Sequence, residues 1–241
     1  MTVDLANTSP PPQAGERDMS AAEAPDLVHR LRDRVAERPS QPAFHYLTTA
    51  THQLGDNIEV ICFTDETAAV EKYEIEAQGP YDTEFEVIGE VPTLTGSYFS
   101  FIDDNVFPER GAYQYRINLV DTCGRVGTVS NIGTTAFLDI STDHTRMLHT
   151  LNWSPYYGFD GAIVKYNIYR GENGVFDASP IASTLPGVRT FVDDVSLYYE
   201  SQGQFCYRVE AVEGLNAYGF SETSFSNAVC ATIDPLVYIP N

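Results

Sequence analysis

Four cysteines (Cys62, Cys123, Cys206, Cys230), five histidines (His29, His45, His52, His144, His149) and two aspartate pairs (Asp103-Asp104 and Asp193-Asp194) are the residues on which chemistry would have to rest. No two cysteines stand in a Cys-x-x-Cys spacing, which disfavours structural zinc and thioredoxin-type redox chemistry. The histidines are scattered at no metal-ligand spacing. No serine occupies a Gly-x-Ser-x-Gly elbow and no glycine-rich phosphate loop is present. The cysteines have no basic neighbour in sequence to lower their pKa, so nucleophilic catalysis has nothing to act through. The aspartate pairs are the more tempting acids, but Ca2+ wants about six to eight converging oxygens. Neither pair lies in an Asp-x-Asp-x-Asp-Gly loop. Each follows an aromatic segment and precedes a loop, where an aspartate accepts backbone N-H bonds in an Asx-turn. The expectation is a chain with no catalytic residues, no cofactor and no metal, whose aspartates cap turns.

The elements that would hold these residues read as strands. IEVICF (58–63), YEIEA (73–77), EFEVIGEV (84–91), YFSFI (98–102) and YQYRINLV (113–120) alternate or run apolar between Gly, Pro, Asp and Asn clusters. LNW, KYNIYR, PIAST, TFVDD, QFCYRVEAV and SNAVCATI continue the pattern. Asn173-Gly174 falls between two of them, where positive φ at both positions makes a tight hairpin. With 43% hydrophobic and 12% aromatic residues, the 241-residue chain has enough material for two cores of domain size.

The formal net charge is -20, from 34 acidic and 14 basic residues. Such a field repels phosphate backbones and anionic bilayers. Nucleic acid is therefore excluded as a partner, and the lack of an apolar run near 18 residues argues against membrane insertion. The charge is uneven: residues 1–50 hold seven acids and five arginines, leaving the remaining acidity in 51–241.

Residues beyond 50 contain an internal repeat. Lys72-Tyr73-Glu74-Ile75 matches Lys165-Tyr166-Asn167-Ile168, and Phe101-Ile102-Asp103-Asp104 matches Phe191-Val192-Asp193-Asp194. Gly111-Ala112-Tyr113-Gln114-Tyr115-Arg116-Ile117 matches Gly203-Gln204-Phe205-Cys206-Tyr207-Arg208-Val209, and Ser130-Asn131 matches Ser226-Asn227. The offsets run from 90 to 96 in chain order. One unit used twice, with about seven short strands per copy, predicts an all-β fold of two tandem immunoglobulin-like β-sandwiches.

The second copy resembles a fibronectin type III domain, through Trp153 in Leu151-Asn152-Trp153-Ser154-Pro155, then YNIYR, then an aspartate turn before G-x-F/Y-x-Y-x-V-x-A. In that pattern the first aromatic is the tyrosine-corner position, which Tyr113 keeps and Phe205 lacks, so the second corner is expected to hold by packing alone. GVFDASPIA, FVDDVS, GQFCYRVEAVEG, SNAVC and the ending DPLVYIPN resemble the module that precedes the gliding-motility-associated C-terminal sorting domain of Bacteroidetes surface proteins. Asp121-Thr122-Cys123-Gly124 fits the repeats that commonly stand before it. The resemblance implies export by a type IX secretion system, an extracellular or cell-surface location, and a chain that stops at a domain border. Leader residues Pro25 to Glu37 place Leu27, Val28, Leu31 and Val35 on one helical face. With ERPSQPAFHYL they resemble the N-terminal helix of fatty acyl-AMP ligases, without that family's phosphate loop, so no activity is implied. The start lacks the charged and apolar segments of a signal peptide; a literal reading is cytoplasmic, the other a fused leader. The expected division is a disordered or helical leader over 1–49, sandwiches over 50–139 and 140–234, and the start of a further domain over 235–241.

On the strand reading, Phe205, Tyr207 and Val209 share the core face and Cys206 points outward, next to Cys230 on the last strand. A Cys206–Cys230 disulfide is expected and Cys62–Cys123 by default, against buried free thiols, and either bridge fits an oxidising compartment. Trp153 belongs to the core. Tyr156, Tyr157 and Phe159, with Tyr198 and Tyr199, fall in loops, where they either recognise a ligand or pack beneath. The function expected is a non-catalytic, monomeric spacer or adhesion segment for an unknown protein or glycan ligand. The alternatives are accessory modules of an exoenzyme, or the leader of an adenylating enzyme inactive in this chain.

Overall fold

The computed structural model describes residues 42–92, 96–198 and 204–233, all within one compact unit, Pro39–Asn241. The expected leader helix, Tyr199 and the segment 235–241 lie outside the described residues. The first sandwich comprises β1 (His45–His52), β2 (Ile58–Thr64), β3 (Val70–Gln78), β4 (Glu86–Pro92), β5 (Tyr98–Asp103), β6 (Gln114–Asp121), β7 (Val126–Val129) and β8 (Gly133–Thr134). The second comprises β9 (Leu138–Asp143), β10 (Leu148–Trp153), β11 (Ile163–Glu172), β12 (Val175–Phe176), β13 (Ala182–Thr184), β14 (Thr190–Asp194), β15 (Gln204–Glu213), β16 (Thr223–Phe225) and β17 (Val229–Thr232). Among the described residues the helical elements are two 3-10 turns, Pro108–Arg110 and Ser196–Tyr198.

In each copy a three-stranded sheet faces a larger one. The orders are β1-β2-β5 against β4-β3-β6-β7, with β8 on β6, and β14-β10-β9 against β12-β11-β15-β16, with β13 on β11 and β17 on β15. Alternation builds the cores. In β2 the residues Ile58, Val60, Cys62 and Thr64 point inward, meeting Tyr73, Ile75 and Tyr115 from the facing sheet. In the second copy Leu151 and Trp153 meet Tyr166, Ile168, Tyr207 and Val209. Trp153 is buried edge-on against Tyr166 at 5.7 Å. The predicted hairpin forms between β11 and β12, with φ of 53° at Asn173 and 83° at Gly174.

The repeated Ser-Asn pairs do the same work twice. Ile117 N donates to Ser130 Oγ at 2.9 Å, and Val209 N to Ser226 Oγ at 2.9 Å. Asn131 accepts from Leu47 N (2.8 Å) and donates to Leu47 O (3.0 Å), while Asn227 accepts from Leu138 N (2.7 Å) and donates to Leu138 O (3.0 Å). Each pair interrupts the final strand, which is why β7 and β8, like β16 and β17, are separate. It also ties the first strand to the last across the open side of the sandwich, satisfying backbone groups a sheet ladder would leave unmade.

The expected borders need correction, since residue 50 falls inside β1 and residues 139 and 140 inside β9. HYLTTATH lacks a strand's alternating large apolar residues, so its opening reads as the end of the leader rather than as a strand.

Candidate functional site

The aspartates at the bottom of each sandwich cap and anchor. Asp103 is buried, accepts Asn105 N at 3.1 Å in an Asx-turn, and takes the Tyr115 hydroxyl at 2.8 Å. In the second copy the two tasks divide. Asp193 accepts the Tyr207 hydroxyl at 2.8 Å and Arg170 Nη1 at 3.0 Å, while Asp194 accepts Ser196 N at 3.0 Å. Burial and the adjoining carboxylates push both tyrosine hydroxyls well above their usual pKa, so they remain donors. Asp104 lines an open cleft of about 310 Å³ with Asp82 and Glu86, and no three His, Cys, Asp or Glu side chains converge as a metal shell among the described residues.

The two tyrosine-corner positions diverge as their side chains dictate. Tyr113 accepts Phe107 N on its hydroxyl at 2.9 Å. Phe205 packs edge-on to Tyr198 at 5.7 Å, and Arg170 lies over the Tyr198 ring at 4.6 Å while donating to its hydroxyl at 2.7 Å. Tyr198 is therefore committed to the corner, with a ring partner, a cation and a hydrogen bond.

Cys206 and Cys230 are directly opposed on β15 and β17 and joined by a disulfide. Cys206 lies on the face opposite the core, as its alternation requires, yet is only 2% exposed. The expected Cys62–Cys123 bridge does not form. Cys62 points into the first core from β2, whereas Cys123 is exposed in the turn between β6 and β7. Cys62 also has a basic neighbour that the sequence concealed, with His45 Nδ1 3.7 Å from its sulfur. Burial nevertheless pushes the thiol up and the imidazole down, the reverse of what a thiolate nucleophile needs.

The loop aromatics lead to a seam between the sandwiches. Strand β1 is buried on both of its faces, one by its own core and the other by the second sandwich. Tyr156 is 2% exposed, and its hydroxyl accepts Ala50 N at 3.1 Å. Burial pushes that hydroxyl up to about 12. Ser224 Oγ donates to Ala50 O at 2.8 Å, Phe225 N to Thr51 Oγ1 at 2.8 Å, and Thr49 Oγ1 to Thr223 O at 3.1 Å. The Tyr46 hydroxyl accepts Asp160 N at 2.7 Å. Thr134 and Tyr157 exchange backbone bonds of 2.7 and 3.1 Å, and Asn131 Nδ2 reaches Gly158 O at 2.7 Å. Phe44, Tyr46 and Phe63 of the first sandwich then meet Tyr218 and Phe220 of the second in a chain of ring contacts between 5.1 and 5.9 Å.

Two loops of the second sandwich are held in shape to make these contacts. Buried Glu213 accepts Gly161 N (2.6 Å), Glu222 N (3.0 Å) and Asn216 Nδ2 (3.3 Å), and Asp160 Oδ2 accepts Ala217 N at 2.8 Å. Tyr156 therefore leaves the set of recognition candidates, because its ring and hydroxyl are consumed by the seam. Phe159 lies partly buried against Tyr156, at 4.2 Å. Tyr157 is 61% exposed and lines a cleft of about 380 Å³ with Pro155, Phe159, Tyr166, Pro186 and Arg189. Tyr46, Thr49, Thr51, Glu213 and Ser224 were not recognised in sequence. No signal in the polar β1 sequence marks them, because threonine sits equally well on a solvated strand.

Strand order and core composition define an all-β chain of two fibronectin type III-like sandwiches. No family profile matches the chain, and no curated protein matches it. Among solved structures it is similar to the crystal structure of chicken CNTN1 FN1-FN3 domains, at 10% identity and a TM-score of 0.30, over 80% of this chain and 67% of that one.

Proposed function

We propose that the chain is a non-catalytic structural and adhesion segment of a secreted bacterial surface protein, of the type IX secretion cargo kind, in which two sandwiches act as one stiff spacer. The observation that carries this reading is the seam. Hydrogen bonds from β1 and β8 to the loops and final strands of the second sandwich restrict the hinge that a flexible linker would leave open. A stiff pair holds an attached domain at a fixed distance and orientation from its anchor. The polar groups most suited to turnover, Asp103, Asp193 and Tyr207, are engaged in holding turns and strands. The Cys206–Cys230 disulfide suits an oxidising compartment, and no described helix is long and apolar enough to cross a membrane. An antibody against residues 50–241 tests the placement on intact cells. Surface labelling that brief protease treatment removes is the expected result. Labelling only after lysis, with all four cysteines reduced, would refute it.

A further inference from the structure

The duplication supplies an internal control for an arginine that lacks its partner. Arg116 and Arg208 occupy equivalent positions on the outer faces of β6 and β15. In the first sandwich the residue directly opposite Arg116 is Glu76, which accepts from its Nε at 2.5 Å while the guanidinium lies 4.3 Å over Phe85. In the second, the residue directly opposite Arg208 is Tyr169, so the carboxylate is replaced by a ring. Arg208 is instead boxed by aromatic residues, with Phe225 at 4.1 Å, Phe176 at 4.9 Å and Tyr169 at 5.5 Å from its central carbon.

Its Nε is buried without a hydrogen-bond partner, and it forms no ion pair among the described residues. What sets it apart is the comparison with Arg116, which has a carboxylate directly opposite on the neighbouring strand. Glu210 on the same strand does not fill the gap, because its Oε2 already takes Asn167 Nδ2 at 2.7 Å and the Tyr169 hydroxyl at 3.0 Å. Burial lowers the pKa of Arg208, but the group remains a cation at any physiological pH. Its Nη groups make no hydrogen bond among the described residues, and a guanidinium fixed by rings with those donors unused is preorganised for a planar anion.

We propose that this outer face binds a carboxylate-bearing sugar, with Arg208 holding the carboxylate and the surrounding rings packing against the apolar face of the pyranose. The rings favour a body with C-H faces over a bare inorganic anion. Asn167, Ser183 and Glu210 lie alongside in a polar network of their own, with Ser183 donating to Asn167 at 2.7 Å and Asn167 to Glu210 at 2.7 Å. The overall charge of -20 disfavours a densely sulfated or phosphorylated polymer, which must bring many charges close at once. A uronate presents its single carboxylate per ring to a cation that is boxed by rings and has no ion-pair partner among the described residues. The site does not depend on the spacer reading, and either can fail while the other stands.

Binding of tri-galacturonate to the full 241-residue chain, followed by calorimetry and NMR shifts of the β15 amides, tests the proposal against its neutral methyl ester and a sulfated, carboxylate-free trisaccharide. The free acid is expected to bind at least tenfold more tightly than either control. Tyr169→Glu rebuilds the ion pair of the first sandwich and is expected to abolish binding while melting no lower than the parent. Arg208→Lys keeps the charge, loses the bidentate geometry, and is expected to weaken binding at least tenfold. The reciprocal Glu76→Tyr frees Arg116 and is expected to create a second, weaker site in the Tyr169→Glu background. No acid binding at millimolar concentration, equal binding of ester or sulfate, or unchanged binding by Tyr169→Glu would each overturn it.

Discussion

Replacing Gly158 by alanine isolates the seam from the rest of the fold. Gly158 has φ of +123°, and a Cβ built on it would stand 2.7 Å from Gly133 Cα and 2.9 Å from Ile132 O, both backbone atoms of the first sandwich. Neither can swing aside as a side chain would. Gly174 gives the matched control, since its φ is +83° and nothing lies within 4 Å of its would-be Cβ. Gly174→Ala therefore carries only the left-handed penalty of about 1 kcal/mol. Gly158→Ala adds a clash in a packed seam, roughly 2 kcal/mol more. It also strains the Thr134–Tyr157 backbone pair and the Asn131 bond to Gly158 O. The total of about 3 kcal/mol lowers the urea midpoint by roughly 1 M for a chain of this size. Because the loss falls between the sandwiches, the single transition expected of the parent should split in two, one from each core. A midpoint shift no larger than that of Gly174→Ala, with one transition retained, would refute the reasoning.

Acid should weaken the fold through its buried imidazoles. Burial lowers His52 from 6.5 to about 4, so below pH 6.5 the unfolded chain takes up a proton that the folded chain refuses. Stability then falls as pH drops from about 6.5 to about 4, by at most about 3 kcal/mol for this residue. His45 and His149 are lowered too and act in the same direction. Urea unfolding at pH 7, 5.5 and 4 should show the decline, and His52→Leu should remove part of that slope; an unchanged slope counts against it. Maleimide added to the native protein should label Cys123 alone, with Cys62 modified only in denaturant; fast labelling of both would mean that β2 is not as packed as described. Asn227→Ala leaves Leu138 N and O without their partner and should cost about 3 kcal/mol, read as a lowered urea midpoint; an effect below about 1 kcal/mol would deny that the first strand is held this way.

The repeat was legible because the matched residues meet the same physical demands twice. Ser130-Asn131 and Ser226-Asn227 make the same bonds at nearly the same distances, so selection of those residue types follows from the open side of any such sandwich. Asp103 and Asp194 were legible as turn residues, although the sequence did not show that Asp103 and Asp193 receive buried tyrosine hydroxyls. The seam was hidden for a different reason. Period-two patterning reports which face of a strand meets its own core, and β1 is covered on its second face by another sandwich. Thr49 and Thr51 are at most 7% exposed, but threonine is at home on a solvated strand, so nothing in HYLTTATH announces a partner. Tyr156 misled in the opposite sense. An aromatic in a loop reads as a recognition residue, and here the molecule recognised is the neighbouring sandwich.

Amide hydrogen exchange at the seam tests most directly whether the two sandwiches form one body. The amides of Ala50, Thr134, Tyr157, Asp160 and Phe225 all donate across it. Protection of these five approaching that of Val209 in the second core is the predicted result. Exchange at the rate of an open loop, with both cores still protected, would show two independent modules on a flexible joint and contradict the account.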